Sequence, residues 1–566
     1  MQGVRLIDRR SFLLTATTPL VGIGGWFARS TNSSTVADPV VFEYRAPSGL
    51  KFTTRPSRTP HKHQPETMGG GVALFDYDND GLLDIYLING ATMPGLVKDD
   101  PQYYNRLFKN LGNGNFEDVT EKAGVEGRGY NLGVAIGDYD NDGFEDIFVA
   151  GLRGNILYHN NGDGTFTDVT AKAGLDRADQ KYGRLWAVAA AWLDYDRDGW
   201  LDLFVSNYCV WDPQKEPTCE QNHMPDYCDP RLYDGLPNSL FHNNHDGTFT
   251  DVSVKSGIRD SIGKGMGVAV ADFDGDGWPD IFVANDTLPN SLFHNERNGT
   301  FREVAVESGV AYTENGMAIS GMGADARDID NDGLPDIFET ALVKETCPLF
   351  HNLGRNLFED MTYVSGLSQM TLLRGGWSNG IYDFNNDGWK DLFVACGQVM
   401  DPNGSSRGTV EQTNAVFANL GNGRFADLSS TAGHEFATRK AVHRGAAFGD
   451  LDNDGHVDVV VTALDAPPEV WRNVSPTPNH WLIINPIGTK SNRDGIGAKI
   501  KIVTSTGVQY NHVTTAVGYG CASDRRVHFG LGKDPVVQEL QITWPSGTIQ
   551  TLRNVKPDRI LTVREP

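Results

Sequence analysis

The sequence has no basic excess. Against 49 Lys and Arg it carries 73 Asp and Glu, a net charge of −24 over 566 residues. That removes the positive face on which nucleic-acid binding depends. Cysteine is scarce: six residues (209, 219, 228, 347, 396, 521), with no Cys-x-x-Cys and no Cys/His zinc spacing. Beyond the N-terminal stretch, no segment approaches the roughly 20 apolar residues of a transmembrane helix. No nucleophile elbow, P-loop, Rossmann glycine pattern or zincin motif is read from it.

What is present is one acidic loop, written seven times. Its members are Asp76, Asp78, Asp80 and Asp84; Asp138, Asp140, Asp142 and Asp146; Asp194, Asp196, Asp198 and Asp202; Asp272, Asp274, Asp276 and Asp280; Asp328, Asp330, Asp332 and Asp336; Asp383, Asn385, Asp387 and Asp391; and Asp450, Asp452, Asp454 and Asp458. Each copy places oxygens at positions 1, 3, 5 and 9 with glycine at position 6, and only Asn385 departs from aspartate. Such a tight turn of hard ligands suits calcium, the glycine letting the chain double back around the ion. Without a cation, carboxylates about 4 Å apart repel by about 4 kcal/mol per pair at an effective dielectric near 20. An EF-hand needs a glutamate at position 12; the first copy has Leu87 there, within the apolar run IYLI, so a strand follows the loop. The loops hold 27 carboxylates, and without them the net charge is about +3. Seven calcium ions bring −24 to about −10. Regular repetition also argues against an acid–base dyad, which needs one site with separated pKa values.

The loops start 62, 56, 78, 56, 55 and 67 residues apart, the period of a repeat architecture. The second repeat is the plainest: Leu132–Gly137, the loop, Asp146–Ala150, Ile156–His159, a turn, then Phe166–Thr170, four short strands forming a propeller blade. The second hairpin recurs as LFHNNHDGTFTDVS, LFHNERNGTFREVA, LFHNLGRNLFEDMT and VFANLGNGRFADLS. The seventh copy stops after Val470–Asn473 with no fourth strand, and VVFEYRAPSG (Val40–Gly49) matches the missing piece. The expected fold is all-β: a seven-bladed β-propeller with calcium loops over residues 38–475, its last blade shared by both ends, then a small β-rich domain over 479–566. Strand alternation puts the metal loops and the Asn-Gly turns on one face. The long insertions (Gly90–Asn105, Ser206–Pro237, Glu339–Pro348, Gly397–Thr413, and the segments around Tyr182–Trp186 and Tyr312–Gly321) then fall on the other, where binding on a rigid scaffold usually resides.

The richest insertion, Asn207–Gly235, offers Trp211, His223, Tyr227 and Tyr233 as ligand-contacting candidates, or as a plug with its rings turned inward. It holds three of the six cysteines, so a local bridge is expected there, although fifteen complete pairings exist. His159, His242, His294 and His351 recur at one strand end and are expected to serve the turn. His61 and His63 are read as linker or top-face residues, two histidines alone not making a metal site. Residues 1–37 read as an export signal: Arg9-Arg10-Ser11-Phe12-Leu13-Leu14 before an apolar stretch, of the twin-arginine type.

The repeats resemble the FG-GAP/VCBS type, related to the calcium-binding blades of integrin α-subunits. The C-terminal runs NHWLIINPIG, RDGIGAKIKI, RVHFGLG and WPSG resemble an ASPIC/UnbV domain. Together they resemble bacterial members of the cartilage acidic protein family. One departure is Gly520-Cys521, where that family tends to place a second polar residue near Gly-Tyr. The resemblance implies an exported, periplasmic or cell-surface protein with about seven structural Ca2+ ions that recognises an extracellular protein or glycan, with no nucleic-acid partner. It implies membrane contact only through an uncleaved signal anchor. The competing readings are a hydrolase or lyase with its site in the channel opposite the metal loops, and a purely architectural surface protein.

Overall fold

The computed structural model describes residues 37–46, 48–221, 223–399 and 410–566. The twin-arginine segment and the middle of the Gly397–Thr413 insertion lie outside them. Each acidic loop joins two short apolar strands, and each repeat folds into one four-stranded antiparallel sheet. The second blade is Tyr130–Gly137, Asp146–Leu152, Ile156–Asn160 and Phe166–Asp168, from axis to rim. Seven such sheets follow in chain order, and their innermost strands pack side by side around a complete circuit, the seventh (His443–Gly449) returning to the first (Val72–Phe75). The expected closure is present: Phe42–Arg45 pairs antiparallel with Glu469–Asn473 as the rim strand of blade seven. This sharing leaves no blade incomplete and no open end to the ring.

The inner strands are buried along their whole length, which explains their small and apolar composition. Neighbouring blades are further clasped by one asparagine each. The last residue of every third strand (Asn110, Asn160, Asn243, Asn295, Asn352, Asn419, Asn473) donates through Nδ2 to the carbonyl at loop position 2 of the preceding blade, at 2.8–3.0 Å. The seventh link, Asn110 to Leu451, closes the circle.

Residues 480–564 form two facing sheets. One is Val527–Gly532, His480–Ile487 and Arg559–Arg564; the other is Val508–His512, Lys499–Val503, Val537–Thr543 and Ile549–Val555. Leu482, Ile484, Ile500, Ile502, Phe529, Leu540, Ile542 and Trp544 fill the space between them. This domain sits on the face of the acidic loops: Asp138 N–H donates to Asp494 Oδ2 at 2.7 Å, and Arg493 N–H to Asn141 Oδ1 at 2.7 Å. Arg197 donates to Pro545 O, and Lys390 Nζ to Tyr510 O at 3.0 Å.

From the same domain a hairpin, Ala516–Val517 paired with Cys521–Ala522, enters the propeller axis. Ala522 lies parallel beside Ala73 of the first blade. Val134 N–H donates to Gly520 O at 3.0 Å, Gly518 N–H to Ala324 O at 2.8 Å, and Tyr519 N–H to Ser378 Oγ at 3.1 Å. The inner strands make room with small residues five positions before each loop: Gly71, Gly133, Ala189, Gly267, Gly323, Ser378 and Gly445. A Cβ on Gly71 would lie 2.6 Å from Gly520 O, and one on Gly445 2.8 Å from Cys521 Sγ. The Gly520-Cys521 turn, where the chain departs from its family's pattern, is thus the tip of an axial plug.

Candidate metal loops and binding face

All seven loops share one local geometry. Position 4 is left-handed, with φ from +58° to +78°, which suits the asparagine found in five copies; position 6 glycine has φ from +87° to +99°. The position-1 carboxylate accepts the N–H of position 5 at 2.9–3.2 Å. Its other oxygen accepts the glycine N–H at 2.7–3.1 Å. Position 9 opens the second strand, and its Oδ1 accepts the N–H of the clasp asparagine at 2.7–2.9 Å. These hydrogen bonds fix the turn of each loop and anchor its position-1 and position-9 carboxylates on main-chain N–H groups.

A divalent oxygen-seeking cation fits these loops. Buried oxygens of Asp78, Asp140, Asp196 and Asp452, all at position 3, have no hydrogen-bond partner among the described residues. Burial, together with neighbouring carboxylates, pushes the acids upward: Asp84 to about 8, Asp138 to about 9, Asp194 and Asp328 to about 8, Asp146, Asp202 and Asp450 to about 7. Positions 1, 3, 5 and 9 of each loop would hold the ion, whose charge offsets this crowding. In the sixth loop Asn385 is fully buried under the interdomain linker. Its backbone oxygen accepts from Thr477 Oγ1 and Asn479 Nδ2, and its Nδ2 donates to Asp38 O. An amide there can donate where a carboxylate could not.

The recurrent histidines reach the loops and not the turns. Nδ1 of His159, His242, His294 and His351 lies 2.9–3.3 Å from the position-9 carboxylate of its own blade. Lys109 occupies the same place in blade one, Arg472 in blade seven and Ala418 in blade six. Arg472 Nη1 meets Asp452 at 2.5 Å, and Lys109 Nζ meets Asp80 at 2.9 Å.

On the opposite face three of the four ligand candidates turn inward. Trp211, Tyr227 and Tyr233 are buried, because the insertion folds over the channel mouth and its rings cover apolar surface. Trp211 and Tyr233 join Trp186, Tyr208, Met266, Met322, Trp377 and Tyr519 in one cluster along the axis. Tyr227 donates to Glu66 and Tyr233 to Glu216, so neither hydroxyl is offered outward, whereas His223 is exposed. The expected local bridge is Cys219–Cys228. The run Gly376–Gly380 spells Gly-x-Ser-x-Gly, but it lies inside an inner strand. Ser378 there is fully buried, its hydroxyl accepting from Tyr519 N–H, so it is no nucleophile elbow.

Trp211 does border open space. A cavity of about 320 Å³ lies between blades two and three, lined by Arg153, Tyr182, Arg184, Trp186 and Trp211 among others. The two indoles meet edge to face at 6.4 Å, and neither buried N–H has an acceptor among the described residues. Arg153 stacks on Trp211 at 5.4 Å and donates to its carbonyl at 2.9 Å. Composition pointed to Trp211, and the insertion pattern to the segment around Tyr182–Trp186; Arg153 comes from another segment and carried no local signal.

Comparison with known proteins agrees with this architecture. The FG-GAP-like repeat model matches residues 76–149, 138–205, 232–283, 272–339 and 349–461, and the ASPIC and UnbV model matches residues 488–566. Cartilage acidic protein 1 of Xenopus tropicalis is 26% identical over 514 residues, 87% of this chain, which spans 63% of that protein's length. The Homo sapiens protein of the same name is 26% identical over 560 residues, 95% of this chain and 77% of its own. Among solved structures, an Agrocybe aegerita lectin described as recognising non-reducing terminal N-acetylglucosamine aligns with 72% of this chain and 93% of its own, at 16% identity and a TM-score of 0.36. Repeats and C-terminal domain together make an interaction or recognition module. The chain belongs to the FG-GAP-like repeat family and ends in an ASPIC and UnbV domain.

Proposed function

We propose that this chain is an exported calcium-binding propeller that recognises an oxygen-rich ligand, a glycan in preference to a protein segment, on its insertion-bearing face. The observation that carries the reading is the Trp186–Trp211 cavity, where two buried indole N–H groups lack acceptors and two arginines stand at the wall. A buried donor without a partner costs about 1–3 kcal/mol, which an incoming hydroxyl or carboxylate oxygen removes. Aromatic faces with a few polar groups are the usual lining of ligand sites. Calcium is structural in this scheme, holding the loops on which the C-terminal domain rests. Export fits the Cys219–Cys228 disulfide, since such bonds persist in oxidising compartments. The enzyme reading places its site in the channel, but the axis there is filled by Tyr519, Trp377, Met266 and Met322.

The test is a glycan array with calcium-loaded protein, followed by titration of Trp211→Ala and Arg153→Gln. Binding of a defined glycan, weakened at least tenfold by both substitutions, supports the proposal. Binding that survives both, or no glycan binding at millimolar concentration, overturns it.

A further inference from the structure

A second cluster of metal-binding side chains lies away from the loop ring. The strap before the first blade crosses the insertion-bearing face, where Thr54 bridges to Leu464 and Arg55 N–H donates to Asn89 Oδ1. It carries His61, exposed, and His63, buried. Facing them from the blade-three insertion is Glu216, whose side chain is 1% exposed. His63 Nδ1 stands 2.6 Å from Glu216 Oε2, and the two imidazole centroids are 4.5 Å apart. The other oxygen of Glu216 accepts the Gln64 N–H at 2.8 Å and the Tyr233 hydroxyl at 2.9 Å, so the carboxylate is held from three sides. His61, His63 and Glu216 can each present one ligand atom with all three within 4.8 Å of one another.

We propose that His61, His63 and Glu216 form a binding site for a zinc-class divalent transition ion, distinct from the calcium loops. Two imidazoles and one carboxylate are a donor set that zinc accepts with a fourth position open, whereas calcium requires six to eight oxygens. A buried ion pair would need only His63 and Glu216; His61 adds a third donor on the solvent side. The ion would tie two segments that are more than 150 residues apart, since Glu216 lies three residues before the Cys219–Cys228 disulfide that closes the insertion. It would therefore pin the cap over the channel mouth. Trp211 packs edge-on against His63 at 5.9 Å and also lines the cavity, so the cluster adjoins that cavity's wall.

The experiment uses the full chain saturated with calcium and stripped of transition metals. Co2+ is titrated and followed by its visible absorption, and then displaced with Zn2+. One equivalent of Co2+ with nitrogen-ligand bands is expected, displaced stoichiometrically by zinc, together with a zinc-dependent rise in melting temperature. His61→Gln and Glu216→Gln should each weaken zinc at least tenfold, the lower end for disturbed metal sites. His61 is exposed, so H61Q should melt like wild type without zinc, which separates lost ligation from misfolding. His159→Gln, in a calcium loop, should leave the cobalt spectrum unchanged. A chain that takes up no stoichiometric cobalt, or whose site survives H61Q and E216Q but is lost in H159Q, overturns the assignment.

Discussion

Tyr519 is the sharpest point at which to test the axial plug. Its side chain is fully buried, packs edge to face on Trp377 at 5.0 Å, and brings a residue of the C-terminal domain into the core of the ring. Replacing it with alanine removes a ring that buries about 150–250 Å². At about 25 cal/mol per Å² this is a gross loss of about 4–6 kcal/mol, and measured aromatic-to-alanine losses run at about 3–5 kcal/mol. The hydroxyl behaves differently. It has no hydrogen-bond partner among the described residues, so Tyr519→Phe deletes an unsatisfied polar atom that costs about 1–3 kcal/mol and leaves the ring in place. The expected order is therefore Tyr519→Phe at least as stable as wild type and Tyr519→Ala lower by about 4 kcal/mol. Urea unfolding at saturating calcium reads both values, and limited proteolysis in the linker near residue 476 reads release of the C-terminal domain. A loss below about 1 kcal/mol for Tyr519→Ala, or equal losses for the two variants, would refute a packed plug.

Three further outcomes are expected. Chelation should lower the melting temperature steeply and reversibly: at tenfold excess over its dissociation constant each ion contributes about 1.4 kcal/mol, about 10 kcal/mol for seven sites. Elemental analysis before chelation should find about seven calcium ions per chain, and an unchanged melt would leave the loops as mere turns. Acid should loosen the interdomain contact through His512 and His528, which burial holds at about 3 and about 4. These values lie below the unfolded value of about 6.5, so the unfolded chain takes up protons first. Stability is thus full above about pH 6.5 and falls from there down to about 4 for His528 and about 3 for His512. The difference in melting temperature between wild type and the His512→Gln/His528→Gln double variant isolates this effect from the loop carboxylates, and a constant difference across the window would count against it. Finally, Cys219→Ser should cost about 2–3 kcal/mol of cap stability through the freed loop, read as faster proteolysis of the insertion with the propeller melt little changed.

The ring was legible in the sequence because its information is local and repeated. Loop, strand and hairpin recur within each repeat, and Phe42–Arg45 could be matched to the missing rim strand because it has the same spelling. Burial in the insertion was not legible. Trp211, Tyr227 and Tyr233 have the composition of a recognition loop, and only the fold decides that they close the channel mouth. Glu216 escaped notice for a related reason: His61 and His63 became a cluster only when a carboxylate from a distant insertion was folded against them. The axial plug did leave a trace, the small residue five positions before each loop. Within a single repeat, however, Gly133 or Gly323 reads as an ordinary glycine in a buried strand. Only the sevenfold alignment, set against a hairpin from the C-terminal domain, gives the series a cause.

The asymmetry of the loop ring shows how the two domains divide the work. In five blades a position-4 asparagine donates to the position-6 carbonyl of the next loop, at 2.9–3.2 Å, linking the metal loops as a belt. Blades three and four break the belt, having Arg197 and Gly275 at that position. There Arg197 reaches across to Pro545 O, and Lys499 of the C-terminal domain pairs with Asp272. A cavity of about 240 Å³ remains between the loops and the domain. The C-terminal domain therefore supplies, at the gap, the cross-links that the propeller lacks. Lys499 takes Asp272, a position-1 carboxylate of the fourth loop, and Asp494 takes the Asp138 N–H of the second, so the domain contact is made on the loops themselves. The loop face thus carries the contact between the two domains, and the insertion-bearing face, with its cavity and its histidine–glutamate cluster, is where the proposed ligand would bind.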